Sequence, residues 1–226
     1  MNRTRRNFII TGLLFFLFAV LTAAIKTVDV KAIGPEGSAV GLATVNQFMF
    51  QLFGVHLIWY DITDWLGVAA ILIAFCFAVL GLCQLIQKRS ILKVDYRILL
   101  LGVFYVLVIG IYVFFEVFIV NYRPIILHTG LEASYPSSHT MIVICIMSTA
   151  IMMFNYLLKD KKLVLITVDI LSALIIAVTV IGRLISGVHW FTDIVAGILL
   201  SAALVMLYYS FVKLIESRVG TDTQKS

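Results

Sequence analysis

Charge is what this chain has least of. Only 13% of its 226 residues are charged, against 62% hydrophobic, and the mean hydropathy is +1.08. A soluble domain of this length needs a larger charged surface, so most of the chain must face lipid or pack on segments that do. Cysteine is scarce as well. Cys76, Cys83 and Cys145 all lie inside apolar runs, with no CxxC pair and no metal-ligand spacing, so they read as core or lipid-facing residues. Strand-like alternation, internal repeats and low-complexity stretches are absent. The length leaves no room for a second folded domain of ordinary size. The organisation is therefore one membrane domain over residues 1–218, followed by a polar, frayed tail over 219–226.

What the chain does have is six apolar runs, near 8–25, 65–87, 97–120, 139–158, 163–182 and 191–215. Each approaches or exceeds the ~20 residues that cross ~30 Å of hydrocarbon as a helix. Backbone groups in lipid must be satisfied within the segment, which favours helices. The fold class is all-α, a six-transmembrane helix bundle. The first run could be a signal peptide with a weak cleavage site at Leu21-Thr22-Ala23-Ala24, but its length favours a retained helix.

The net charge of +5 sits in short clusters between the runs, which are topology signals rather than a nucleic-acid stripe. Arg3, Arg5, Arg6, Lys88, Arg89, Lys93, Arg97, Lys159, Lys161, Lys162, Lys213, Arg218 and Lys225 fall on one side. That is thirteen of the seventeen Lys and Arg. This side, with both termini, is expected to be cytoplasmic. Lys26, Lys31, Arg123 and Arg183 lie opposite; the last two stand at helix ends, against the bias, and want a specific explanation.

The first outer loop, 26–64, carries the turn signal Gly34-Pro35-Glu36-Gly37. Beyond it, 39–60 mixes apolar residues with Asn46, Gln51 and His56, and Trp59, Tyr60 and Trp65 suit the headgroup level. The stretch reads as one or two interfacial helices, either beside a lateral opening or as a simple cap on the bundle.

Parity of crossings brings three further points to that same outer face. The third run ends at Asn121-Tyr122-Arg123-Pro124, where proline stops the helix. The fourth opens at Pro136-Ser137-Ser138-His139, with serine as N-cap and free N–H groups in the first turn, an anion site. The fifth and sixth meet around Arg183 and His189. Arg123 and Arg183 can each fork onto phosphate oxygens. His189 and Asp193 are four residues apart, on one helical face, so the carboxylate can accept one imidazole N–H and leave the other nitrogen nucleophilic. His139 then stands free as general acid. Each feature alone has a plain reading: interfacial histidine, N-cap, stop signal. Their convergence reads as a phosphate site.

These residues resemble the type 2 phosphatidic acid phosphatase (PAP2) superfamily, which also includes vanadium haloperoxidases. Its motifs are Lys-x6-Arg-Pro, Pro-Ser-Gly-His and Ser-Arg-x5-His-x3-Asp. Here they read Glu116-x6-Arg123-Pro124, Pro136-Ser137-Ser138-His139 and Gly182-Arg183-x5-His189-x3-Asp193, spanning 116–193. The resemblance implies a metal-independent, cofactor-free phosphatase of membrane lipids. In it His189 would form a phosphohistidine, Asp193 would orient it, and His139 would protonate the leaving group. Arg123, Arg183 and the Ser137-Ser138-His139 backbone would hold the phosphate oxygens. The implied substrates are undecaprenyl pyrophosphate, phosphatidylglycerophosphate or phosphatidic acid, met at the extracytoplasmic face. A soluble haloperoxidase and a transporter fit less well, the latter because no broken helix or acidic relay lies at mid-membrane.

Three positions depart from the pattern. Ser138 replaces glycine, Gly182 replaces serine, and Glu116 replaces lysine, an anion for a cation beside a phosphate pocket. Glu116 can pair with Arg123 or Arg183, be neutralised by desolvation, or meet a cationic or hydroxyl group on the substrate. His128 in the 125–135 loop can replace the missing positive charge. The alternative is a non-catalytic relative that binds or moves phospholipid. Asp169, inside the fifth run, is expected to snorkel toward Lys161 or Lys162.

Overall fold

The computed structural model describes residues 3–223 and, among them, contains seven α-helices. They are α1 (Arg3–Thr27), α2 (Ala43–Phe53), α3 (Leu57–Lys88), α4 (Tyr96–Val117), α5 (Ser138–Leu157), α6 (Lys162–Ser186) and α7 (Phe191–Thr223). All but α2 are long and apolar enough to cross a membrane, six spans in all. The tail differs from expectation. Helix α7 continues to Thr223, so 219–223 is helical, and 224–226 lie outside the described residues, as does Lys225 of the basic side.

Half of the α5 and α7 spans is buried, against 11% of α1 and α6. Helices α5 and α7 are thus the centre of the bundle and the others its lipid-facing wall. A core of Phe77, Leu101, Phe104, Met141, Cys145, Met153, Leu204 and Tyr208 joins α3, α4, α5 and α7. Lipid tails are as apolar as these side chains, so close packing rather than escape from water holds the helices together. Small residues allow the approach: a Cβ on Gly197 of α7 would lie 3.1 Å from the Ser137 carbonyl and from Thr140 of α5. Hydroxyls within the spans return their hydrogen to the preceding turn, as Ser201 does to Gly197 O at 2.6 Å and Thr149 to Cys145 O at 2.8 Å.

Helix α1 packs along α7, with Phe8 edge-on to Phe211 and the Thr11 hydroxyl 3.4 Å from that of Ser210. Cys145 is buried in the core, whereas Cys76 and Cys83 face outward from α3. Asp169 departs from expectation. It accepts from Asn155 Nδ2 at 2.9 and 3.2 Å across the α5–α6 contact, and no ion pair joins it to Lys161 or Lys162. The neighbouring amide satisfies the carboxylate without a reach to the headgroups.

The first outer loop holds one interfacial helix and the start of the next span. Lys31 and Val40 exchange backbone hydrogen bonds of 3.0 and 2.9 Å, closing the chain on itself. Gly41 passes directly under the Ile25 carbonyl, where any Cβ would collide with backbone. Helix α2 presents Phe48 and Leu52 outward and buries Asn46. Asn46 donates to Gly41 O and Thr192 Oγ1, both at 2.9 Å, and accepts from Thr192 N at 3.1 Å. That last bond satisfies an orphan N–H at the start of α7. Helix α3 begins at Leu57, eight residues before the apolar run does. Its 32 residues span ~48 Å, well beyond the hydrocarbon, so its first two turns carry polar residues alongside the outer loops.

Candidate active site

The outer ends of α3, α5, α6 and α7 and the 118–137 loop converge at one end of the bundle. The loop is pinned by Arg123 N to Glu132 O and Ser134 N to Asn121 O, each 3.0 Å. This places Asn121, Arg123 and Ser134 over the start of α7. Ser137 N donates to Asp193 O at 3.0 Å, tying the start of α5 to the first turn of α7.

His189 and Asp193 do not touch directly, contrary to the reading from their spacing. His189 lies in the turn before α7, not on its helical face. Ser134 fills the gap. Its hydroxyl donates to Asp193 Oδ2 at 2.5 Å, and its oxygen lies 3.0 Å from His189 Nδ1. The Ser134 carbonyl is also 3.1 Å from Nδ1. Asp193 accepts two further bonds, from Asn121 Nδ2 at 3.1 Å and Trp190 N at 3.0 Å. A carboxylate only accepts, so the serine proton points to Asp193 and the serine oxygen must accept from Nδ1–H. The tautomer follows: Nε2 carries the lone pair. That atom is buried and has no partner. Burial first, then the Arg123 and Arg183 guanidiniums, hold the His189 imidazole well below its usual pKa, so the ring is neutral.

Around it stand other unpartnered donors. Arg183 is fully buried on α6, inside the helix rather than beyond its end, and its Nε and Nη1 have no hydrogen-bond partner. Its third nitrogen, Nη2, pairs with Asp64 Oδ1, and Tyr60 stacks 4.8 Å from the guanidinium. Arg123 Nη1 is free, while Nε lies 3.0 Å from Glu132 Oε2. The Ser137 hydroxyl does not cap α5, as its place before the helix suggested; it is buried and free. The first-turn N–H groups of α5 add an anion-binding end. His139 Nε2 lies 3.0 Å from the same Asp64 Oδ1. Two guanidiniums, a helix N-terminus, a free hydroxyl and a free imidazole nitrogen can together hold a tetrahedral oxyanion against a nucleophile.

The two outlying candidates fall differently. Glu116 is exposed and lines a small crevice with Tyr112, Ser138 and His189; among the described residues it forms no ion pair, with Arg123, Arg183 or any other cation. Glu132 and Asp64 take the pairings it was expected to make. His128 is mostly exposed and bonds Glu132 Oε1 at 2.8 Å, so it backs the partner of Arg123 rather than entering the pocket. Gly182 has a steric reason. A Cβ there would lie 2.6 Å from Thr63 Cγ2 and 3.2 Å from Trp59 Cε3 of α3.

Sequence reading missed Asp64, Ser134, Asn121 and Glu132. Asp64 left a signal, a carboxylate at the threshold of a long apolar run. Ser134 and Asn121 left none.

A groove of about 210 Å³ opens between α3 and α5, lined by Gly67, Val68, Ile71, Ile142 and Val143, with Asp64 and His139 at its head. Val68 and Ile71 are exposed on the lipid-facing surface, so the groove connects the polar cluster to the bilayer. A second groove, about 560 Å³ between α3 and α4, is lined by apolar residues such as Phe77 and Leu101 and holds no charged group. It offers packing surface and no chemistry.

The chain is thus a six-span helical bundle with a buried cluster of unpartnered arginine and histidine nitrogens at one end, beside the α3–α5 groove. Residues 116–216 of the chain match the PAP2 superfamily model. Its fold is similar to the crystal structure of the first transmembrane PAP2 type phosphatidylglycerolphosphate phosphatase from Bacillus subtilis. The TM-score is 0.62 at 19% identity, covering 91% of this chain and 96% of that one. No curated protein sequence matches significantly.

Proposed function

We propose that this protein is a lipid phosphatase that works at the extracytoplasmic face through a phosphohistidine on His189. The observation that carries the reading is the free Nε2 of His189, its tautomer set by Ser134 and Asp193, amid unpartnered arginine nitrogens. The basic clusters on the opposite side support the assigned face. The lateral groove supports a substrate with an apolar tail, a phosphomonoester or a pyrophosphate.

The proposed chemistry uses that geometry. His189 Nε2 attacks phosphorus, and the N–P bond forms as the bond to the leaving oxygen breaks. Protonated His139 gives its proton to that oxygen. Arg123, Arg183, Ser137 and the α5 N-terminus neutralise the charge on the remaining oxygens, where such donors contribute ~3 kcal/mol each. Neutral His139 then takes a proton from water, the water oxygen bonds phosphorus, and the N–P bond breaks. Inorganic phosphate leaves and His189 is restored.

The test is phosphate release by purified protein, with chelator present, from undecaprenyl pyrophosphate, phosphatidylglycerophosphate and phosphatidic acid. Release from at least one, abolished by His189→Ala, is expected; equal release from wild type and variant would overturn the mechanism. A second reading, a non-catalytic phospholipid-binding protein, rests on Glu116, which stands where the resembling motif has lysine and forms no ion pair among the described residues. It predicts a silent wild type and a large gain of activity in Glu116→Lys.

A further inference from the structure

Asp64 belongs to none of the three motifs, yet it holds two of their residues. One oxygen, Oδ1, pairs with Arg183 Nη2 and lies 3.0 Å from His139 Nε2. Arg183 is fully buried, and a buried cation without an anionic partner is strongly destabilised. Asp64 supplies that partner in the empty site. The Asp64 side chain itself is 37% exposed and borders the α3–α5 groove, so it has open space into which it can swing.

We propose that Asp64 is a displaceable occupant of the phosphate site, an affinity-setting residue that gives way to the phosphate group of the ligand and returns when it leaves. The inference rests on the phosphatase reading above for its biological sense. A phosphate oxygen gripped by Arg183 and placed to receive a proton from His139 must use the two donors that Oδ1 now uses. Two anions cannot share that position, because the repulsion between them is barely screened in a buried site. The carboxylate therefore weakens phosphate binding by the free energy of its own two contacts. The same competition speeds the departure of free phosphate after turnover, which a pocket with an unopposed Arg183 would retain.

Calorimetric titration of the detergent-solubilised full chain with inorganic phosphate tests this without turnover. Asp64→Asn and Asp64→Ala are each expected to bind phosphate about tenfold more tightly than wild type, or better, the loss of a charge-assisted competitor. With a lipid phosphate substrate, KM falls by a similar factor and kcat does not rise. A residue that merely braced His139 would lower kcat and leave phosphate affinity unchanged. A structure with bound phosphate gives the direct readout: Asp64 Oδ1 should have left both Arg183 and His139. Unchanged or weaker phosphate affinity in both variants, or no binding to any of the three proteins, overturns the proposal. So does a phosphate-bound structure with Asp64 still on both partners. Tightened binding in a protein that hydrolyses no lipid would support the displacement while faulting the phosphatase reading. Turnover with unaltered affinity would do the reverse.

Discussion

Ser134 stands between His189 and Asp193, 3.0 Å from the imidazole Nδ1 and 2.5 Å from the carboxylate Oδ2. In the proposed mechanism the carboxylate orients the imidazole through a hydroxyl, with the Ser134 carbonyl as a second acceptor for the same N–H. Ser134→Ala removes the relay and keeps that carbonyl. It is expected to lower kcat by roughly 10²-fold, with KM little changed. Steady-state kinetics decide it; an unaltered kcat would show that the carbonyl alone sets the tautomer.

Asp193→Asn should cost more than Ser134→Ala. An amide can present a donor to Ser134, turning the hydroxyl toward His189 and placing the lone pair on Nδ1 instead of Nε2. The loss in kcat is expected to approach ~10⁴-fold, as when another orienting carboxylate is made an amide. Nitrogen-labelled histidine spectra would show the tautomer change directly.

The pH dependence has a definite sign. His189 is depressed well below its ordinary value of 6.5 by burial and by the two guanidiniums. If His189 is the nucleophile, as proposed, it stays neutral to lower pH than a free imidazole, so the acidic limb of kcat/KM should fall below pH 6.5. For folding, the unfolded chain binds a proton at 6.5 that the native ring does not. Stability from this group is therefore fully present above that pH and declines as pH falls from there toward the depressed native value. Removing the group with His189→Gln should flatten that part of a stability-versus-pH curve.

Gly182→Ser introduces the serine of the resembling motif but places a Cβ against Thr63 Cγ2. The overpacking is expected to cost ~1–3 kcal/mol. Thr63→Ser removes the offending methyl while keeping the hydroxyl that bonds Trp59 O at 2.7 Å. The double variant should recover thermal stability in detergent. Failure of that rescue would show that Trp59, not Thr63, limits the space.

Asn46→Ala cuts three hydrogen bonds that lock α2 to Gly41 and to the start of α7. Leaving Thr192 N buried without an acceptor is expected to cost about 1–3 kcal/mol. Because α7 also carries Asp193, activity should fall together with the melting temperature.

Much of this protein is readable along the chain. Long apolar runs admit only spanning helices, since lipid offers the backbone no partner, and the parity of crossings then gathers Arg123, His139, Arg183 and His189 at one end. The three motifs name those residues because their chemistry is local, set by spacing within a turn or two. Other features were settled only by the tertiary structure. Ser134 reaches His189 from fifty-five residues away, through a loop closed by Asn121 and Glu132. Asp64 meets Arg183 from 119 residues away because α3 begins two turns before its apolar run. Spacing placed Asp193 on His189; packing put a hydroxyl between them. Hydropathy and helical period fix how each segment lies in the membrane. Which acidic or hydroxyl group completes a buried cation or imidazole depends on how the segments meet, and long-range contacts carry no periodicity in sequence.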